Sequence, residues 1–207
     1  TDVDRDQTLW GPGLDPVPQD RQMLVCPLLS VYLCQPFTGP QFMHYRMEEF
    51  VNKGLDGFLG YAVPRTCLVR FNIEAAAEWS WNIDGRTPGE FARSWAVRDG
   101  LSDPDLFAEW VETLGPVSWD VYGSDWPAGV GRNVPGTPAE LLHQGELPEL
   151  GSIKWGAYAF PWGEIETAEE LKAYVGDAEE ALALAQRMGD TRFIAESHVI
   201  RGHIRAM

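Results

Sequence analysis

The sequence predicts an α/β fold at its start and an all-helical region after it. Two observations carry this. Apolar segments before residue 86 run strand, helix, strand, strand-like segment, which fits the last units of a parallel α/β sheet or barrel. After residue 86 helix-start signals recur, each followed by apolar residues at helical spacing. The expected division is 1–86, barrel units with an N-terminal loop, and 87–207, a helical region with a Gly/Pro/Trp-rich loop at 123–166.

Residues 1–22 are rich in Asp, Pro and Gly and read as loop. MLVCPLLSVYLCQ (23–35) is apolar and partly β-branched, so it reads as a buried strand, with Pro27 as a possible break. In QFMHYRMEEFVNK (41–53), Met43, Met47, Phe50 and Val51 fall at helical spacing, and Gly54 follows as a cap. GFLGYAVP (57–64) reads as a short buried strand ending at a proline. Phe71 to Asn82 is then the expected final strand.

Thr87-Pro88-Gly89-Glu90 is a capping box with proline at the first helical position, and Gly100 closes its helix. Ser102-Asp103-Pro104-Asp105 opens another, ending near Gly115, with a further turn or two over Val117 to Tyr122 left open. Thr137-Pro138-Ala139-Glu140 opens a short helix within the 123–166 loop. Thr167-Ala168-Glu169-Glu170 launches a long helix ending at Gly189, and Asp190 caps the last. That final pair has a loose tetratricopeptide character, but one pair is not an array.

The formal net charge of -15 argues against nucleic acid, whose phosphates need a basic patch, and against anionic membrane surfaces. No apolar run approaches the roughly 20 residues of a membrane span. Cys26, Cys34 and Cys67 are odd in number and lack a C-x-x-C, so they read as small core residues. His198 and His203 are five apart, off the spacing of a helical metal pair, and no metal or cofactor is expected. The glycines of GVGRNVPG (129–136) do not form a nucleotide-binding fingerprint, and no G-x-S-x-G is present. The polar start at Thr1 and the end at Met207 inside a helical pattern suggest a piece of a longer protein.

AAAEWSWN (75–82) is the most informative stretch. In a strand Trp79 and Trp81 share one face, while Glu78, Ser80 and Asn82 share the other. Rings offer a flat apolar platform to the C–H face of a sugar, and carboxylate and amide groups bind its hydroxyls. Barrel enzymes keep such groups at the C-terminal ends of their strands. The competing reading places both rings in the core, under the helix of 88–99. Glu74, Glu78 and Asp84 are the nearby acids, and a glycosidase needs two carboxyl groups, or one assisted by the substrate's acetamide.

GFLGYAVP, FNIEAAAEWSWNIDGRTPGEFARSWAVRDGL and GPVSWDVYGS together resemble the end of (β/α)8-barrel glycoside hydrolases, nearest to hexosaminidase-type enzymes, O-GlcNAcase-like or family 20-like. The resemblance covers roughly residues 23–122. It implies the C-terminal portion of a hydrolase acting on glycans, including those with N-acetylhexosamine. Trp79 or Trp81 would wall the sugar subsite, Asn82 or Glu78 would bind hydroxyls, and Tyr61 would reach the site from the preceding strand. The catalytic acids would lie upstream of Thr1, since a barrel takes about 250 residues. An open barrel edge would invite self-association. Two alternatives stay in view: a non-catalytic carbohydrate-binding protein using Trp119, Trp126, Trp155 and Trp162, and a helical interaction module using 168–207.

Overall fold

The structure, a computed structural model, describes residues 24–25, 36–52, 57–58, 66–123, 165 and 167–206. Within these are α1 (Pro40–Asn52), α2 (Thr66–Trp81), α3 (Pro88–Asp99), α4 (Pro104–Gly123), α5 (Ala168–Met188) and α6 (Thr191–Ala206). The strands are two-residue segments, β1 (Leu24–Val25) and β2 (Gly57–Phe58), paired in parallel with Leu24 opposite Gly57.

This overturns the α/β barrel expectation. A parallel pair flanks α1, as a strand–helix–strand order requires, but the sheet goes no further among the described residues. The segment expected as the last barrel strand is the 16-residue helix α2. Its buried residues Phe71, Ala75 and Trp79 are four apart, with Asn72 and Ala76 beside them. That is a helical stripe. Self-association through an open barrel edge rested on the barrel and loses its basis with it.

The helix ends follow their local chemistry. Thr87 accepts from the Glu90 amide at 3.3 Å, and the Glu90 carboxylate accepts from the Thr87 amide at 2.9 Å. These backbone and hydroxyl donors from Thr87 hold the Glu90 carboxyl below its ordinary pKa. Thr167 and Glu170 form the same reciprocal box at the start of α5. Gly100 and Gly189 close α3 and α5 at φ 76 and 71, a left-handed geometry that glycine adopts without steric penalty. Asp103 accepts from the Leu106 amide at 2.9 Å, and Asp190 from the Arg192 amide at 2.9 Å, so each caps its helix.

Helix α4 runs through Gly115-Pro116 instead of stopping there. Proline removes one backbone donor, leaving the Glu112 carbonyl without its usual partner. Burial of Leu114, Val117 and Val121 on either side keeps the helix going.

The core is one cluster of buried side chains spanning Phe37 to Ile204. Its centre is aromatic. Phe107 stacks between Trp95 and Trp110, with centroids at 5.4 and 5.7 Å. Phe71 meets Phe91 and Trp95 edge-on, joining α2 to α3. Trp110 Nε1 donates to Ser197 Oγ at 2.9 Å, and that hydroxyl donates to the Phe193 carbonyl at 2.8 Å, so the buried indole N–H is satisfied. Helix α5 buries small and aliphatic side chains instead, Ala178, Ala181, Leu184 and Ala185, and packs on both α4 and α6. Val51, expected on the buried face of α1, is half exposed, while Arg46 takes a buried position there and pairs with Glu49 at 3.3 Å.

Candidate functional site

The residues singled out around AAAEWSWN lie at the C-terminal end of α2 and in the turn to α3. Positions two apart on a helix are separated by about 200°. Trp79 and Trp81 therefore point to opposite sides, not to one face as a strand would place them. Trp79 is 0% exposed, with its ring edge-on to His44 at 4.9 Å and near Phe91 at 5.3 Å. Its place is the core, as the competing reading had it. Trp81 is 92% exposed.

The turn between the helices is held from three sides. Trp79 Nε1 donates to the Arg86 carbonyl at 2.8 Å. Arg86 Nη1 pairs with Glu78 Oε1 at 3.0 Å. His44 Nε2 lies 3.3 Å from the Ile83 carbonyl, and donates to it in the Nε2–H tautomer. Asn82 extends the helix by donating its amide to the Glu78 carbonyl at 3.1 Å, and its own carbonyl accepts from the Gly85 amide at 3.2 Å. The Asn82 side chain is exposed beside Trp81. Trp81 thus stands on a fixed helix end, near an exposed amide and a surface carboxylate–guanidinium pair. Tyr61, the remaining predicted contact, lies outside the described residues.

Of the nearby acids, Glu74 and Glu78 are engaged in ion pairs, while Asp84 is exposed and pairs with no cation among the described residues. Glu74 accepts from Arg70 at 2.9 Å and also from Arg98. Asp120, on α4, accepts from the Tyr174 hydroxyl on α5. Burial first, and that bond second, raise the Tyr174 pKa. These contacts join helices, and they do not face two carboxyl groups across a cleft. Among the described residues, no three His, Cys, Asp or Glu side chains converge as a metal site would require, and no helix is long and apolar enough to cross a membrane.

Of the tryptophans expected to form a second surface, Trp119 is half-buried on α4 against Phe42 and Tyr45, at 5.2 and 5.5 Å. Trp126, Trp155 and Trp162, the helix opened by Thr137, and Cys26 and Cys34 lie outside the described residues.

One polar arrangement was missed from sequence. Glu196 on α6 is buried, and its two carboxylate oxygens accept from the Thr38 amide at 2.6 Å and the Thr38 hydroxyl at 2.9 Å. Asn72 on α2 grips the same segment, donating to the Phe37 carbonyl at 2.7 Å and accepting from the Gly39 amide at 3.1 Å. Burial pushes the Glu196 carboxyl up to about 7, against the two Thr38 bonds. The available signal was a Glu and a Ser on the apolar stripe of α6, between Phe193 and Ile200.

No protein-family model, curated protein or solved structure matches this chain.

Proposed function

We propose that this chain acts by binding, and that its contact is a sugar ring stacked on Trp81. The observation that carries this is the 92% exposure of that indole. The other tryptophans among the described residues, at 79, 95, 110 and 119, are buried or half-buried. Leaving so large a ring in water forgoes about 2 kcal/mol of burial. The flat face left open suits the C–H face of a pyranose. Asn82 supplies amide donors and an acceptor beside it, and the Glu78–Arg86 pair supplies charged ones. Trp79 has no part in ligand contact, because its ring is enclosed. Bond cleavage is no part of this reading, since Glu74 and Glu78 are engaged by arginines.

Glycans containing N-acetylhexosamine are the first class to test. Tryptophan fluorescence of the full chain, titrated with N-acetylglucosamine oligomers and with glucose- and galactose-based oligosaccharides, should show a saturable change for one class. Trp81→Ala should abolish it while leaving the far-UV circular dichroism unchanged. If no oligosaccharide gives a Trp81-dependent change, the sugar-binding reading fails.

A further inference from the structure

At one end of the bundle the α3–α4 turn lies beside the α5–α6 turn, and a cavity of about 290 Å3 opens between them. Its apolar lining is Leu101, Met188 and Phe193, and its polar lining includes Ser102, Asp103 and Asp190. The volume is at the small end of ligand pockets.

Two features give this cavity a preference for positive charge. Helices α3 and α5 both end here, at Gly100 and Gly189, so the negative ends of two helix dipoles meet at its wall. The two helices that begin here, α4 and α6, are headed by the carboxylates of Asp103 and Asp190, which offset their positive ends.

The two carboxylates differ in what they already hold. Asp190 is engaged by Arg192, with Oδ2 at 2.7 Å from Nη2. That guanidinium also pairs with Asp99 at 3.1 Å and sits 5.0 Å from the centre of the Phe193 ring, so its own charge is met on two sides. Asp103 uses Oδ1 to cap α4. Among the described residues its Oδ2 accepts no hydrogen bond and no cation pairs with it. Ser102, exposed beside it, has an uncommitted hydroxyl among those residues.

We propose that this cavity binds a primary alkylammonium group. The carbon chain packs on Leu101, Met188 and Phe193, and the ammonium donates to Asp103 Oδ2 and Ser102 Oγ. The site is independent of Trp81 and of the sugar-binding reading. The same chemistry is offered by a free amine and by a lysine side chain of a partner peptide.

Amide NMR titration of the full chain with n-butylammonium, N-acetyl-lysine methylamide and neutral n-butanol tests this. The ammonium compounds should shift the amides of Gly100, Leu101 and Gly189 saturably, and n-butanol should bind at least about tenfold more weakly, as loss of a charged hydrogen bond implies. Tighter binding of butylammonium would assign a free amine, and tighter binding of the lysine derivative a peptide. Either supports the site. Asp103→Asn keeps the cap, because Asn caps as well as Asp, and should weaken binding by a similar factor. Met188→Phe fills the cavity with the charge in place and should weaken all three compounds. Equal binding of n-butanol, unchanged binding by Asp103→Asn, or shifts elsewhere in the molecule would overturn the proposal.

Discussion

The two faces of α2 each carry a tryptophan and an alanine, and these have opposite fates. The inner face carries Phe71, Asn72, Ala75, Ala76 and Trp79, all buried, with Phe71 meeting α3 and α4, Asn72 the segment before α1, and Trp79 α1 and α3. The outer face carries Arg70, Glu74, Ala77, Glu78 and Trp81, held by surface ion pairs or by nothing. The large exposed apolar side chain on that outer face is Trp81. Two tryptophans two residues apart therefore separate an enclosed core group from one left in solvent. The lesson is that the position around the helix, not the residue type, decides which is which.

The sharpest way to break this comparison is Trp79→Ala. Losing a fully enclosed indole should destabilise the fold by about 3–5 kcal/mol, measured by chemical denaturation. A loss below about 1 kcal/mol would show that the inner face is not the packed side.

The next effect concerns the inner-face segment that Asn72 shares with Glu196. The Glu196 carboxyl is raised from 4.5 to about 7 in the folded state, so folding favours its protonated form. The stability it contributes is fully present below pH 4.5 and is lost as pH rises through 7, on the order of 3 kcal/mol in all. His203 works in the opposite sense. Burial lowers its pKa from 6.5, so its contribution is present above that value and is lost as pH falls. Glu196→Gln separates the two. It should remove the decline between pH 4.5 and 7 and leave the opposing histidine slope, as read by urea denaturation across that range. An unchanged profile would refute the assignment to Glu196.

The smallest effect is on the outer face. Trp81→Ala should change stability by less than about 0.5 kcal/mol, because the ring touches little. Iodide quenching of the wild-type fluorescence should include a contribution from the exposed Trp81 indole that this variant lacks. A large destabilisation would place Trp81 in the core and remove the basis of the sugar-binding reading.

Much of the helical half was legible. Thr87, Glu90, Gly100, Thr167, Glu170 and Gly189 occupy the expected capping positions, because caps depend on a few adjacent residues and on backbone geometry alone. The identity of α2 was not legible in the same way. Trp79 and Trp81 suggested a period of two, and the longer period of Phe71, Ala75 and Trp79 was obscured because alanine signals burial weakly. Three alanines in a row were also a helix signal, since alanine is depleted in strands. The barrel followed from the wrong period. The exposure of Trp81 was not legible, because the strand period put it on the same face as Trp79. Glu196 with Thr38 could not be read, since their meeting depends on how α6 returns to the start of α1.

That meeting also sets an order of events in synthesis. Helices α3 with α4, and α5 with α6, are joined by short turns and can pair as soon as each hairpin exists. Thr38 and Glu196 are separated by 158 positions. The Glu196 side of the clasp on Pro36–Gly39 cannot close until α6 has left the ribosome, whereas Asn72 can grip that segment once α2 exists. A chain stalled before residue 196 would present a nascent bundle whose Thr38 lacks the Glu196 carboxylate, the form in which a chaperone or protease would meet it.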